Sequence, residues 1–74
     1  MTDVAEVLRA KRELPPLDDR RRAREEAGLS TAQFGEILGV AAATVSRWES
    51  GARYPRPRNL IRYVQALQAL DALR

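Results

Sequence analysis

The sequence contains neither cysteine nor histidine. Without cysteine no disulfide can stabilise the fold, and without both side chains the common zinc sites are excluded. No apolar run approaches the roughly 20 residues that a membrane-spanning helix needs, and the acidic Asp3 and Glu6 stand where a signal peptide would begin its apolar core. The composition therefore predicts a cytoplasmic protein with no membrane contact, no metal and no other cofactor. Helix packing, helped by a dimer interface, is left to stabilise so short a chain.

Residues suited to catalysis are equally scarce. The absence of histidine and cysteine removes the commonest general base and a common nucleophile. The sequence has no glycine-rich phosphate loop, and its acids stand in helical charge patterns beside arginines rather than in a pocket that would perturb their pKa values. We therefore expect that the chain is not an enzyme.

What is abundant is arginine, since Lys11 is the single lysine among 13 basic residues. Arginine binds phosphate and guanine through a planar fork that lysine lacks, although codon usage in a genome rich in G and C would produce the same bias. Residues 41–62 hold five arginines and one acid, Glu49. This segment is either a binding site for a polyanion or a solvated basic face.

Apolar spacing, prolines and glycines predict a compact all-α bundle of about five short helices. Thr2 is the expected N-cap of the first helix, and Ser30 or Thr31 caps the third. The expected bounds are residues 2–13, 17–28, 31–38, 41–51 and 58–74. Residues 1–16 form an N-terminal helical extension ending at Pro15-Pro16, and residues 17–74 form the main domain, with the whole chain expected to fold as one unit.

The third and fourth helices show the features of a helix-turn-helix in TAQFGEILGVAAATVSRWES, residues 31–50. Gly35 is small where two helices must approach closely, and Gly39 suits a turn with positive φ. The residues whose spacing points inward are Phe34, Leu38, Val40, Val45 and Trp48. Those left for the outside are Thr31, Gln33, Thr44, Ser46 and Arg47. The pattern predicts two short helices that cross steeply.

Together with their flanks, these residues resemble the XRE, or phage repressor/Cro, family of lambda-repressor-like helix-turn-helix proteins. The resemblance is carried by RAREEAGLS (22–30), FGEILGV (34–40), TVSRWESG (44–51) and the loop around Pro55. It covers about residues 17–70 and leaves residues 1–16 outside. It implies that helix 31–38 lies across the DNA backbone and that helix 41–50 enters the major groove.

The resemblance also assigns roles to individual positions. The base-facing residues it implies are Ala42, Ala43, Thr44, Ser46 and Arg47. The two alanines depart from the polar residues common in the family and offer only methyl contacts, for example to thymine. Arg47 is the residue expected to bind a base edge, with guanine as the partner. A phosphate contact or a solvated surface position is the alternative for Arg47.

Phosphate contacts are expected at two places. Thr31 and Gln33 stand at a helix N-terminus, which favours an anion, and the loop after the fourth helix resembles the family's other backbone clamp. The residues of this second group are Arg53, Tyr54, Arg56, Arg58 and Asn59. At least three of the seven are expected to touch phosphate, and plain exposure is the alternative for each.

Two further expectations concern residues that stabilise the fold and do not contact DNA. In the family an arginine before the first glycine pairs with the glutamate after the tryptophan, and here these residues are Arg24 and Glu49. Removing one residue of such a partly buried pair would leave the charge of the other uncompensated. Trp48 is expected in the core rather than as a stacking platform, because apolar neighbours at helical spacing account for it.

The function predicted is sequence-specific binding of double-stranded operator DNA by a small transcriptional regulator, most simply a Cro-like or phage immunity repressor. The alternative is an antitoxin or accessory protein that binds a protein partner through its N-terminal or C-terminal helix. A homodimer is expected at least on DNA. Two roles are open for the last helix. Either Tyr63, Leu67 and Leu70 form the contact between the two copies of this dimer, or Leu60, Val64 and Leu67 close the domain's own core. Residues 1–14 form an arm, an extra core helix or a dimer contact.

Overall fold

The computed structural model describes residues 3–73, which form five α-helices and no strand. Their bounds are α1 Val4–Glu13, α2 Leu17–Glu26, α3 Thr31–Leu38, α4 Ala42–Ser50 and α5 Pro57–Ala72. The all-α prediction is confirmed. The last helix begins at Pro57, because proline has a φ suited to the first helical turn and lacks the N–H that would be unpaired there.

Helix α1 is delimited by local chemistry at both ends. The side chain of Asp3 caps it by accepting a hydrogen bond of 3.1 Å from the Ala5 N–H. The predicted cap, Thr2, lies outside the described residues. At the other end Leu14 is extended, with φ −66° and ψ 119°, because Pro15 disfavours the helical conformation in the residue before it.

The main core lies where α2, α3, α4 and α5 meet. Its buried members are Ala23, Phe34, Leu38, Val45, Trp48, Tyr63 and Leu67. The ring of Tyr63 has its centroid 4.9 Å from that of Trp48 and 6.2 Å from that of Phe34, both tilted, an arrangement that aromatic pairs favour. Trp48 is only 4% exposed, so it is a core residue as expected.

A second, smaller cluster joins α1 to α5. It consists of Ala10, Leu60 and Val64. Leu14 packs against both clusters and so connects them. Of the three roles considered for residues 1–14, the described part of this segment therefore forms an extra core helix.

The dimer contact predicted on α5 is wrong for two of its three residues. Tyr63 is 0% exposed and Leu67 is 4% exposed, so neither can contact a second copy of the chain. Helix α5 packs against α1, α2 and α3, and this central position buries more of its surface than periodicity alone indicates. Leu70 is half-buried against the main core.

Candidate nucleic-acid interface

The turn between α3 and α4 depends on two glycines. Gly39 has φ 75°, a conformation that L side chains disfavour. The N–H of Val40 donates to the Gly35 carbonyl at 2.9 Å, which folds the turn back over α3. A Cβ on Gly35 would lie 2.6 Å from the Val40 carbonyl oxygen. The close approach of α3 and α4 therefore requires glycine at position 35.

Helix α4 has a core-facing side and a solvent-facing side. Val45 and Trp48 are buried on the inner side. Of the five residues predicted to read bases, Ala43, Ser46 and Arg47 are exposed and Ala42 and Thr44 are half-buried. The outer side thus presents small side chains followed by one arginine, a profile that lets the helix approach a groove closely.

The start of α3 uses Gln33 in a way that the sequence reasoning missed. The Gln33 N–H donates to Ser30 Oγ at 3.0 Å, and the Ser30 N–H donates to Gln33 Oε1 at 2.8 Å. This is a capping box, and the spacing of serine and glutamine was its available signal. The carboxamide oxygen of Gln33 is therefore engaged, and only its NH₂ group remains to donate to an external acceptor. Thr31 is half-buried beside it.

The predicted phosphate-binding residues after α4 lie in the loop and at the start of α5. Four of them are exposed: Arg53, Tyr54, Arg56 and Arg58. Asn59 is half-buried. The loop is attached to the end of α4 by the Arg53 N–H, which donates to the Arg47 carbonyl at 3.2 Å. This bond ties the loop to the residue expected to bind a base.

Arg24 and Glu49 form a charge pair that joins α2 to α4. Arg24 Nε donates to Glu49 Oε2 at 2.6 Å and Nη2 donates to Oε1 at 3.0 Å. The third donor, Nη1, binds the Leu29 carbonyl at 2.8 Å. The hydrogen bonds to Glu49 raise the pKa of the Arg24 guanidinium above its ordinary value. One side chain thus fixes the end of α4 and the segment that leads into α3.

A second arginine with a structural role, Arg20, was not anticipated. Its Nε donates to the Pro15 carbonyl at 2.7 Å and its Nη1 donates to the Trp48 carbonyl at 3.1 Å. The second acceptor lies in the last turn of α4, where helix carbonyls have no partner within the helix. Nothing local in the sequence signals this contact, because the two residues are 28 positions apart.

The arginines of α2 differ in their partners from those of α4 and the residues that follow it. All four on α2 are bonded within the protein, Arg20 and Arg24 as above and the other two to acids on the same helix. Within residues 3–73, no hydrogen bond or ion pair is made by the side chains of Arg47, Arg53, Arg56, Arg58 and Arg62. Every arginine of α4, the following loop and α5 is therefore unpaired, as are Arg9 and Arg12 on α1 within the same described residues.

Two short helices crossing over a glycine turn, with an exposed outer side on the second helix, define a helix-turn-helix DNA-binding domain. The helix-turn-helix family model matches residues 21–72. The chain belongs to this family, and it is a DNA-binding transcriptional regulator of the XRE, Cro/repressor type. No curated protein and no solved structure matches the chain significantly.

No helix between residues 3 and 73 is long and apolar enough to cross a membrane. The same residues include no group of three or more acidic side chains placed to hold a metal ion. Neither observation alters the interface described above.

Proposed function

We propose that the chain is a sequence-specific repressor of the Cro-like or phage immunity type, which acts on operator DNA in the cytoplasm. The observation that carries the proposal is the set of five unpaired arginines between positions 47 and 62, next to the exposed side of α4. Arginines without internal partners are available to phosphates and bases, whereas those on α2 already donate to acceptors within the protein.

In the proposed complex α4 lies in the major groove. Ala42 and Ala43 pack against base edges, where their methyl groups favour thymine, and Ser46 and Thr44 lie alongside them. Arg47, in the last turn of α4, forms the two parallel hydrogen bonds that guanine O6 and N7 accept from a guanidinium. Direct readout by few polar groups implies that DNA shape contributes to specificity.

The phosphate contacts fix this orientation. Thr31 and the Gln33 NH₂ group, at the start of α3, bind one strand. The loop and the start of α5 bind the other strand through Arg53, Tyr54, Arg56, Arg58 and Asn59. Since one recognition helix covers about half a site, we propose that two copies bind a two-fold symmetric operator.

The test begins with selection of binding sites from a randomised duplex pool. The selected duplex and a scrambled one are then titrated at two salt concentrations with the parent protein and with Arg47→Ala. We expect a preference of about 10³-fold or more for the selected site, and loss of discrimination at one base pair in the variant. Arg21→Ala is the matched control, since Arg21 is an exposed arginine paired with Glu25. Weak, motif-free binding that salt abolishes would contradict the proposal.

The second candidate function is that of an antitoxin or accessory protein. It is favoured by Val4 and Leu8, which are 71% and 55% exposed and stand one turn apart on α1. Co-expression with the product of the adjacent reading frame tests it. A stable complex that Leu8→Glu abolishes, with DNA binding unchanged, would establish this role, and the absence of any complex would exclude that partner.

A further inference from the structure

Arg62 is an exposed residue of α5 that the sequence analysis did not single out as a site residue. Its guanidinium lies against the turn between α3 and α4. A Cβ placed on Gly39 would be 3.6 Å from its Nη1 and 3.7 Å from its Nη2. The side chain therefore extends from α5 across to the helix-turn-helix, rather than pointing away into solvent.

The guanidinium of Arg62 is unpaired at this position. Within residues 3–73 it has no hydrogen bond and no carboxylate within the 4.0 Å of an ion pair. Glu36, the acid nearest to Gly39 in the sequence, does not reach it. Because position 39 is glycine, no side chain of that residue stands beside the guanidinium. All of its N–H donors are therefore free for an external acceptor.

Arg62 also continues a line of positive charge. It follows Arg58 by four residues on α5, so the two residues share a helix face and are about 6 Å apart along the axis. Phosphates of one DNA strand rise by about 3.4 Å each, so the two arginines can reach different phosphates of one strand.

We propose that Arg62 binds a DNA backbone phosphate beside the turn between α3 and α4. The turn leads directly into α4, so a helix in the major groove brings the turn to the edge of that groove, where phosphates lie. A guanidinium suits a phosphate because its fork donates two parallel hydrogen bonds. The inference rests on the proposed function and adds a contact outside the seven phosphate-binding positions named above.

The test compares the parent protein with Arg62→Gln, which removes the charge and keeps much of the length. Arg21→Gln is the matched control, because Arg21 is exposed on α2 and already paired with Glu25. Affinity for the selected duplex is measured between about 50 and 200 mM salt. Loss of one phosphate contact should lower the slope of log affinity against log salt by about 0.9, and weaken binding about equally for every base sequence. Arg21→Gln should leave the slope unchanged.

A second measurement locates the contact. Duplexes carrying one neutral methylphosphonate at successive positions are titrated with both proteins. At one position the substitution should weaken binding by the parent and have no further effect on Arg62→Gln. Circular dichroism verifies that the variant is folded.

The outcomes separate the two proposals. If the parent protein shows no preference for any duplex, the proposed function fails. If the parent binds specifically and Arg62→Gln keeps the same slope and affinity, only the role of Arg62 is wrong. If Arg62→Gln instead changes the preferred base at one position, Arg62 contacts a base and the phosphate assignment is overturned.

Discussion

The guanidinium of Arg24 and the carboxylate of Glu49 meet in two hydrogen bonds, 2.6 Å and 3.0 Å long, between α2 and α4. Their side chains are only 11% and 7% exposed. If one residue were removed, water could therefore not replace it as the partner of the other charge. The same guanidinium binds the Leu29 carbonyl, directly before the serine that caps α3. Both helices of the helix-turn-helix are thus fixed to α2 through one side chain.

We expect Glu49→Gln to destabilise the domain by about 3–5 kcal/mol, because it leaves the buried guanidinium without its countercharge. The double variant Arg24→Met with Glu49→Leu should be less destabilised, since it buries no charge. Unfolding in urea measures both. Glu25→Gln, which breaks an exposed pair with Arg21, is the control and should cost less than about 1 kcal/mol. If Glu49→Gln lowered the free energy of unfolding no more than this control does, the pair would be dispensable.

Two glycines allow a comparison of steric exclusion with backbone strain. Gly28 has φ 74° and open space around its Cα, whereas a Cβ on Gly35 would meet the Val40 carbonyl oxygen at 2.6 Å. Gly28→Ala should cost about 1–2 kcal/mol through its left-handed backbone alone. Gly35→Ala should cost more, although alanine in a helix interior is ordinarily favoured by about 1 kcal/mol. Equilibrium unfolding of both variants checks the order, and a Gly35→Ala variant as stable as the parent would contradict it.

The helix-turn-helix could be predicted from the sequence because its determinants are local. Gly39 ends α3, Gly35 permits the close crossing, and Trp48 follows the apolar spacing of α4, all within one short segment. The capping box of Ser30 and Gln33 was equally readable. Its two residues stand three positions apart, so no distant part of the chain is needed to form it.

The remaining features depend on residues distant in the chain. The bond from Arg20 to the Trp48 carbonyl and the position of Arg62 over Gly39 exist only once α2, α4 and α5 are assembled. Periodicity also could not separate core from interface along α5. A helix that packs against three others is apolar on much of its surface, and Tyr63 shares its spacing with residues that stay partly exposed.

The docking of α1 can be tested at Ala10, which is 5% exposed and packs against Leu60 and Val64. Ala10→Glu places a carboxylate in this apolar contact, at a cost of several kcal/mol. We expect the midpoint of thermal unfolding to fall by more than about 10 °C, given roughly 4–8 °C per kcal/mol in a domain of this size. Ala5→Glu, on the exposed side of α1, is the control. Equal melting of the two variants would mean that α1 does not stabilise the domain.

Tyr63 makes the stability of the domain sensitive to alkaline pH. Its side chain is 0% exposed, and its hydroxyl has no hydrogen-bond partner among residues 3–73. Burial, reinforced by the nearby negative charge of Glu49, raises the pKa of Tyr63 to about 12 from an ordinary value of 10.0. Below pH 10 both the folded and unfolded chains keep the proton, so the free energy of unfolding is unaffected. Between about pH 10 and 12 only the unfolded chain loses it, and stability falls by about 1.4 kcal/mol per pH unit.

Tyr63→Phe should remove this part of the pH dependence, which urea unfolding at several pH values from 9 upward would measure. At neutral pH the variant should be as stable as the parent or more so, because a buried hydroxyl without a partner costs about 1–3 kcal/mol. Tyr54→Phe, which removes a phenol that is 55% exposed, should retain the pH dependence of the parent. If Tyr63→Phe is instead clearly less stable at neutral pH, the hydroxyl has an acceptor in solution, and burial without a partner is not the cause of the shifted pKa.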